Sequence, residues 1–348
     1  MTHANPAIHV VQSTSSTQSS AEKNRLMGKP RFHFEPQEVM QYLRERIIGQ
    51  EDALNEIEKM LHVVKADFSS PERPLSVTLM LGPTGVGKTE TVRLISEKIY
   101  GRPDAFCRID MNTLAQEHYA AAITGAPPGY VGSKEGHSLF DETAIAGSHT
   151  RPGIVLFDEL EKASTEVLRG LMNILDTGTL TLTAGTKTID FRNCMIFMTS
   201  NVGAQAAQQY LDKLNLLPQK MQALCLKRVP TQRIIEKVMQ RQFDPEFINR
   251  IDRILQYQPV QDHALPRLVE IELDKLNLRL QHQKRSVSLT AAAKAHFYQN
   301  HDIRYGARHL ARKIRVELEP ILAMYFLQYP EKNSLQLDFQ NQNFMVIE

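Results

Sequence analysis

The sequence has few cysteines, little net charge and no long apolar run. Cys107, Cys194 and Cys225 are odd in number, scattered and without a C-x-x-C pair, which argues against a disulfide framework or a zinc site and favours free thiols in a reducing cytoplasm. No apolar run approaches the roughly 20 residues that span a bilayer, and the first residues do not resemble a secretory signal. The net charge of +2 gives no bias toward nucleic acid or an anionic surface. We therefore expect a cytoplasmic protein that binds neither nucleic acid nor membrane.

The length and composition predict a globular protein of two domains. A chain of 348 residues is too long for one hydrophobic core to grow comfortably. Residues 1–35 include the serine-rich stretch "STSSTQSS" and few clustered apolar residues, so this segment is predicted to be a disordered tail. The character of the chain changes after Val260. We expect a large domain over residues 36–259 and a small, helix-rich domain over residues 260–348.

Short apolar runs alternate with helical segments in the predicted large domain. Short apolar runs that lack alternating polar residues are typical of strands covered on both faces. They read "SVTLML", "AFCRID", "GIVLFDE", "CMIFMTSN" and "DRILQY". The alternation predicts an α/β fold with a parallel sheet sandwiched by helices. The small domain is predicted to end in a short strand pair, "LQLDF" and "FMVIE".

The segment "GPTGVGKT" fits the phosphate-binding pattern G-x-x-x-x-G-K-[ST] and lies between a predicted strand and a predicted helix. Its glycines allow backbone N–H groups to turn toward phosphate oxygens, and the helix N-terminus adds a partial positive charge. Lys88 is expected to reach the β- and γ-phosphates, and Thr89 to ligate Mg²⁺. The predicted nucleotide-binding residues are Gly82, Pro83, Thr84, Gly85, Val86, Gly87, Lys88 and Thr89.

An acidic pair, Asp158 and Glu159, ends the apolar stretch "GIVLFDE". Ligands bind at the carboxyl ends of strands in open α/β sheets. Asp158 is therefore expected to hold Mg²⁺ through water, and Glu159 to polarise the attacking water. The NKxD motif that reads guanine is missing, so ATP is the expected nucleotide.

Together with these residues, several further phrases resemble the Clp chaperone class of AAA+ ATPases, in particular the second ATPase module of ClpA/ClpB-type unfoldases. The phrases occur in the family's order and extend the resemblance from about Glu38 to the C-terminus. They are "IIGQEDAL", "GPTGVGKTE", "GAPPGYVGSKEG", "DELEKA", "TIDFRNCMIFMTSN", "FDPEFINRID" and "YGARHLAR". The resemblance implies an ATPase that assembles into a homo-oligomeric ring, most simply a hexamer, and acts on polypeptides.

The resemblance also implies roles for individual residues. Ile47 and Ile48 match the pair that packs against the adenine, with core packing alone as the alternative. Asn201 matches the sensor that helps to position the water, although an Asn there could also cap the next segment. Arg250 matches the arginine finger that reaches the γ-phosphate in a neighbouring subunit, and Arg308 matches a second sensor in the small domain.

The phrase "GAPPGYVG" matches the family's pore loop. The resemblance implies that Tyr130 and Val131 contact a threaded polypeptide, while Gly129 and Gly132 supply hinge freedom. The alternative is that Tyr130 packs in a static turn. A second hairpin-like stretch, "LTLTAGTKTIDF", lacks the acidic and extra glycine residues of the family's other channel-facing loop.

Two departures from the larger Clp chaperones shape the functional expectation. Only the tail precedes this ATPase module, and no "IGL" or "IGF" tripeptide lies between Asn201 and Phe243. The expected function is ATP-dependent unfolding or disassembly of proteins by a single ring that does not feed a peptidase. Three alternatives remain open: a nucleotide-switched assembly factor whose tail tethers a partner, a nucleic-acid motor, and an unfoldase that feeds a peptidase.

Overall fold

A computed structural model of the chain describes residues 30–114, 140–181, 188–215, 218, 221, 231–299 and 306–347. Helices in these ranges are α1 (Pro36–Arg46), α2 (Glu51–Lys65), α3 (Lys88–Tyr100), α4 (Met111–Leu114), α5 (Glu142–Ala146), α6 (Thr165–Thr177), α7 (Ala204–Asn215), α8 (Thr231–Gln242), α9 (Pro245–Ile248), α10 (Leu265–Gln281), α11 (Ala291–Tyr298), α12 (Gly306–Lys313) and α13 (Glu319–Gln328). Strands are β1 (Ser76–Leu81), β2 (Cys107–Asp110), β3 (Gly153–Asp158), β4 (Thr179–Thr181), β5 (Thr188–Asp190), β6 (Cys194–Ser200), β7 (Arg253–Gln256), β8 (Ser286–Leu289), β9 (Ser334–Gln340) and β10 (Asn343–Ile347).

The five predicted apolar runs form one parallel sheet with the order β2-β3-β6-β1-β7. Strands β1, β3 and β6 are buried along their whole length, which explains why their sequences show no polar alternation. Because all five strands point the same way, the residues that follow β1, β3 and β6 meet at one edge of the sheet. The predicted α/β fold is confirmed.

Helices cover both faces of this sheet. Met80 and Leu156 belong to an apolar cluster with Leu43 of α1. Their neighbours on the strands face the opposite way, and Leu79 belongs to a second cluster with residues of α6. The alternation of side chains along each strand therefore fills two separate layers.

The predicted disordered tail, residues 1–35, extends into a segment that is packed in the structure. Phe32 is fully buried, Phe34 is 6% exposed, and Lys65 Nζ donates to the carbonyl oxygens of Phe32 at 2.9 Å and Phe34 at 2.8 Å. Burying two phenylalanine rings offsets the entropy of ordering this short segment. The packed chain thus includes residues 32–35, which the sequence analysis had assigned to the tail.

The chain from residue 260 onward, here called the C-terminal region, carries helices α10–α13 and a three-stranded sheet in the order β10-β9-β8. The predicted strand pair corresponds to β9 and β10, which are antiparallel. Strand β8 joins β9 in parallel and was not predicted, because four residues reading "SVSL" are too short for a periodic signal. Among the described helices, none is long and apolar enough to cross a membrane.

Candidate nucleotide site

The loop between β1 and α3, here called the phosphate-binding loop (Gly82–Thr89), depends on its glycines. Gly82, Gly85 and Gly87 have φ values of 150°, 74° and 107°, a region that residues with a Cβ rarely adopt. At Gly82 a Cβ would also lie 2.6 Å from the carbonyl oxygen of Tyr257. The loop therefore packs its backbone against Tyr257, the residue after β7, and leads directly into the N-terminus of α3, where backbone N–H groups favour an anion.

A cleft of about 360 Å³ opens beside this loop. It lies between the five-stranded sheet and the C-terminal region, and it contains most of the predicted site residues. Those that line it are Ile47, Ile48, Thr84, Gly85, Val86, Gly87, Lys88, Thr89, Asp158, Glu159, Asn201 and Arg308. Gly82 and Pro83 lie at the start of the same loop, and Gly129, Tyr130, Val131 and Gly132 fall outside the described residues.

Several apolar side chains line the cleft. Ile47 is 4% exposed and Ile48 is half-buried, and both line the cleft together with Val260, Leu268 and Ile271 of the C-terminal region. Flat aromatic groups gain free energy when they are sandwiched between such side chains. These side chains are suited to a nucleotide base, and the adenine role of Ile47 and Ile48 stays a prediction.

Lys88 is a buried cation of the cleft. Its Nζ donates to the carbonyl oxygens of Gly82 (2.6 Å) and Pro83 (2.7 Å) and to Oδ1 of Asn201 (2.9 Å). Burial lowers the pKa of Lys88 to about 8, and the negative charges of Glu161 and Asp158 oppose that shift. A phosphate placed at this ammonium would stabilise its charged form, so binding an anion here favours protonation of Lys88.

Asp158 ends β3 beside the hydroxyl of Thr89, whose Oγ1 lies 3.4 Å from Asp158 Oδ1. Thr199 Oγ1 donates to Oδ1 of Asp158. Arg108 donates to Oδ2 from Nη2 at 2.6 Å and from Nε at 3.1 Å. Hydroxyl and carboxylate oxygens are the ligands that Mg²⁺ prefers, so the pair Thr89 and Asp158 fits the predicted metal.

The backbone at Glu159 is left-handed, with φ 60° and ψ 52°. Few residues other than glycine adopt this region, and strain of this kind recurs at functional sites. The Glu159 N–H donates to Thr199 Oγ1 at 3.1 Å, so one hydroxyl connects the two acidic residues. This turn directs Glu159 into the cleft, where it lies with Asn201 and Arg308.

The C-terminal region contacts the phosphate-binding loop through its backbone. The Ala307 N–H donates to the carbonyl oxygen of Gly85 at 2.9 Å. A Cβ on Gly306 would lie 2.6 Å from the same oxygen. Further along the cleft, Lys275 of α10 pairs with Glu90 of α3 at 3.1 Å. Movement of the loop and movement of the C-terminal region are therefore mechanically connected.

Arg250 is the one predicted site residue among those described that lies away from the cleft. It precedes β7, and the N–H of Asp252 bonds to the carbonyl of Val77 near the start of β1. The phosphate-binding loop follows the other end of β1, roughly 15 Å away at 3.3 Å per residue. Arg250 cannot contact a nucleotide bound by its own chain in this arrangement.

Among the residues at the site that the sequence does not predict, Thr199, Arg108 and Lys275 carry polar or charged groups. Thr199 and Arg108 contact Asp158 as described, and Lys275 lines the cleft. Thr199 could have been found as a polar residue near the end of an apolar strand, in "CMIFMTSN". Arg108 and Lys275 carry no such signal, because their roles follow from strand pairing and from helix packing across the cleft.

This sheet, loop and acidic pair together define a nucleotide hydrolase of the P-loop class. Comparison with known proteins agrees. A model of the AAA domain (Cdc48 subfamily) matches residues 73–254, and one of the C-terminal, D2-small domain of ClpB protein matches residues 260–335. The chain therefore belongs to the AAA+ ATPases, in their Clp class, and the family predicted from the sequence is confirmed. The class comprises ATP-dependent chaperones and unfoldases.

Two similar relatives are close to this chain in length. The ATP-dependent protease ATP-binding subunit-like protein AmiB of Pseudomonas aeruginosa is 44% identical over 304 residues, which are 86% of this chain and 82% of that protein. An ATP-dependent protease ATP-binding subunit-like protein of Rhodococcus erythropolis is 39% identical over 288 residues, 81% of this chain and 80% of that protein. ClpC of Staphylococcus saprophyticus is 36% identical over 307 residues, but the match spans only 36% of that longer protein.

Proposed function

We propose that the chain is one subunit of a homo-oligomeric ring, most simply a hexamer, that uses ATP hydrolysis to unfold or disassemble polypeptides in the cytoplasm. The observation that carries the ring is the position of Arg250. Because this side chain lies beyond the reach of its own cleft, an arginine-finger role requires a nucleotide held by a second copy. Such fingers raise hydrolysis rates by about 10³ to 10⁵ in well-studied enzymes.

Within one chain, the cleft residues have distinct roles in this proposal. Ile47 and Ile48 hold the adenine, while Lys88 and the backbone of the phosphate-binding loop bind the phosphates. Thr89 and Asp158 hold Mg²⁺, which neutralises phosphate charge when bound.

The remaining cleft residues act on the γ-phosphate and its water. Glu159 accepts a proton from the attacking water, and Asn201 orients that water. Arg308 brings the charge of the C-terminal region to the phosphates.

In this proposal, the pore loop "GAPPGYVG", which contains Tyr130, moves the polypeptide. Large and small domains that meet at residues 259 and 260 would change their angle with nucleotide state, because the cleft lies between them. Tyr130 and Val131, supported by Gly129 and Gly132, would then pull a chain through the ring. The residues before Pro30 would bind a partner protein.

The finger is tested by mixing two inactive variants. Glu159→Gln retains an intact Arg250 but cannot activate water, while Arg250→Ala retains an intact cleft. If the finger acts on a neighbour, the mixture hydrolyses ATP faster than the sum of the two variants measured alone. A mixture no faster than that sum would contradict the trans role.

Threading is tested separately at Tyr130. Tyr130→Ala should keep ATP hydrolysis near the wild-type rate and lose unfolding of a tagged fluorescent protein, while Tyr130→Phe, the matched control, keeps both. Unchanged unfolding by Tyr130→Ala would remove the threading proposal. If deletion of residues 1–30 then abolished activity, a nucleotide-switched assembly factor would be favoured.

A further inference from the structure

Arg250 is held by an acidic side chain from a distant part of the sequence. Its Nε lies 2.5 Å from Oδ2 of Asp176, near the end of α6. The hydrogen bond with Asp176 is the largest cause of the raised pKa of Arg250. The two terminal nitrogens point to Glu246 instead, Nη1 to its carbonyl oxygen (2.6 Å) and Nη2 to its Oε1 (3.0 Å).

The two carboxylates differ in their surroundings. The side chain of Glu246 is 69% exposed and lies four residues before Arg250, whereas Asp176 is 43% exposed and 74 residues away in sequence. Asp176 therefore fixes the guanidinium plane from the Nε side. The terminal nitrogens, which can bind two phosphate oxygens together, are held by Glu246 in a side chain that is 21% exposed. To bind a phosphate of a second copy they must exchange Glu246 for it, while Asp176 keeps its bond to Nε.

The backbone of Arg250 is joined to the same helix end. Arg73, in the loop before β1, donates from Nε to the carbonyl of Leu175 at 3.1 Å and from Nη2 to the carbonyl of Arg250 at 3.0 Å. A planar guanidinium that bonds two carbonyls fixes the distance between them. Two independent contacts thus attach Arg250 to the C-terminal end of α6, one through its side chain and one through its backbone.

Helix α6 connects this end to the cleft. It begins at Thr165, where the Ser164 side chain caps Val167 N–H, only a few residues after Glu159. Its 13 residues give a length of about 20 Å at 1.5 Å per residue. Leu171 and Ile174 are fully buried and share a hydrophobic cluster with Val155 and Phe157 of β3, so the helix is anchored in the core beneath the sheet.

We propose that Asp176 is a positioning residue that, with Arg73, presents Arg250 to the nucleotide of a second copy, and that α6 ties the position of Arg250 to the turn at Glu159 of its own chain. This inference rests on the proposed role of Arg250 in trans. The consequence has a direction around the ring. The nucleotide state of the cleft in one subunit sets how fast ATP is hydrolysed in the neighbouring subunit that receives its Arg250.

The test compares Asp176→Asn with Asp190→Asn in the full chain. Asp190 is the matched control, because it forms an exposed ion pair with Arg192 (2.6 Å) that involves neither Arg250 nor the cleft. Asparagine keeps the size of the aspartate and removes its charge. We expect Asp176→Asn to lower kcat for ATP about tenfold while KM changes less than about twofold, the signature of an interaction made in the transition state. Asp190→Asn should match the wild type.

Two further measurements separate positioning from structure. Adding Asp176→Asn to Arg250→Ala should cause no further loss of kcat. Asp176 acts through the Arg250 side chain, and Arg250→Ala has already removed it. Mixing Asp176→Asn with Glu159→Gln should give more hydrolysis than the sum of the two alone, since Glu159→Gln supplies a well-held Arg250. Arg73→Lys, which cannot bond both carbonyls from separate nitrogens, should lower kcat in the same way.

The outcomes distinguish this inference from the proposed function. If Arg250→Ala lowers kcat but Asp176→Asn equals Asp190→Asn, the positioning role is overturned and the trans finger stands. The positioning role is also overturned if the losses from Asp176→Asn and Arg250→Ala multiply in the double variant. If Arg250→Ala keeps the wild-type kcat, both proposals are overturned.

Discussion

Replacing Gly306 with alanine tests whether the C-terminal region acts on the phosphate-binding loop through its backbone. Gly306 has φ +54°, and an added Cβ would lie 2.6 Å from the oxygen and 2.8 Å from the carbon of the Gly85 carbonyl. The matched control is Gly101→Ala, because Gly101 has φ +75° and nothing within 4 Å of its Cβ position. Both substitutions place an alanine in a left-handed backbone conformation, which costs free energy. Only Gly306→Ala also brings the new Cβ into overlap with the Gly85 carbonyl.

The structure indicates how much more stability and ATP affinity Gly306→Ala should lose than Gly101→Ala. A left-handed alanine costs roughly 1–2 kcal/mol in either variant. At Gly306 the overlap must be relieved by separating two backbones, which breaks the hydrogen bond from Ala307 to Gly85 and removes about a further 1 kcal/mol. Since the Gly85 carbonyl belongs to the loop proposed to hold the phosphates, we expect ATP affinity to fall at least about tenfold in Gly306→Ala, equal to about 1.4 kcal/mol.

Two assays measure these effects. Denaturant unfolding reports the loss of stability in each variant, and titration with a fluorescent ATP analogue reports affinity. Gly101→Ala should lose stability and bind the analogue like the wild type. If Gly306→Ala binds the analogue as tightly as Gly101→Ala does, the contact between Ala307 and Gly85 does not support the loop and the reasoning fails.

Three further predictions follow from individual side chains. Because the pKa of Lys88 is about 8 and phosphate favours its charged form, raising the pH from 7 to 9 should weaken ATP binding about tenfold, whereas Lys88→Arg should show no such fall in equilibrium titrations. Phe32→Ala should lower the free energy of unfolding by about 3–5 kcal/mol in denaturant titrations; Phe68→Ala, at a ring 81% exposed, should change it by less than about 0.5 kcal/mol, and equal effects would place Phe32 outside the core. Thr199→Val removes the partner of the Glu159 N–H and one of the two hydroxyls that contact Asp158 Oδ1, so kcat for ATP should fall about tenfold, and Thr199→Ser should restore it.

Much of the sheet and the cleft could be predicted because the local signals are strong. A parallel strand buried on both faces must be continuously apolar, and β1, β3 and β6 are. The glycines of the phosphate-binding loop and the acidic pair at the end of β3 are read from the sequence for the same reason: the local backbone and the chemistry admit few other residues. Parallel strand order then brings their ends together without further information.

The remaining contacts depend on geometry that a single sequence does not encode locally. Arg108 pairs with Asp158 because β2 lies beside β3, and Asp176 pairs with Arg250 across 74 residues of chain. Isolated arginines and aspartates are usually solvated, so neither pair stands out in the sequence. The buried segment at Phe32 and Phe34 was missed because two aromatic residues beside a polar tail give no periodic pattern.

The turn at Glu159 shows what the carboxylate proposed to activate water requires of the fold. Glycine would relax this left-handed turn, and asparagine would tolerate it better than glutamate does. Stability alone would therefore favour other residues at this position, and the chain gives up part of its resistance to unfolding to aim one acidic group.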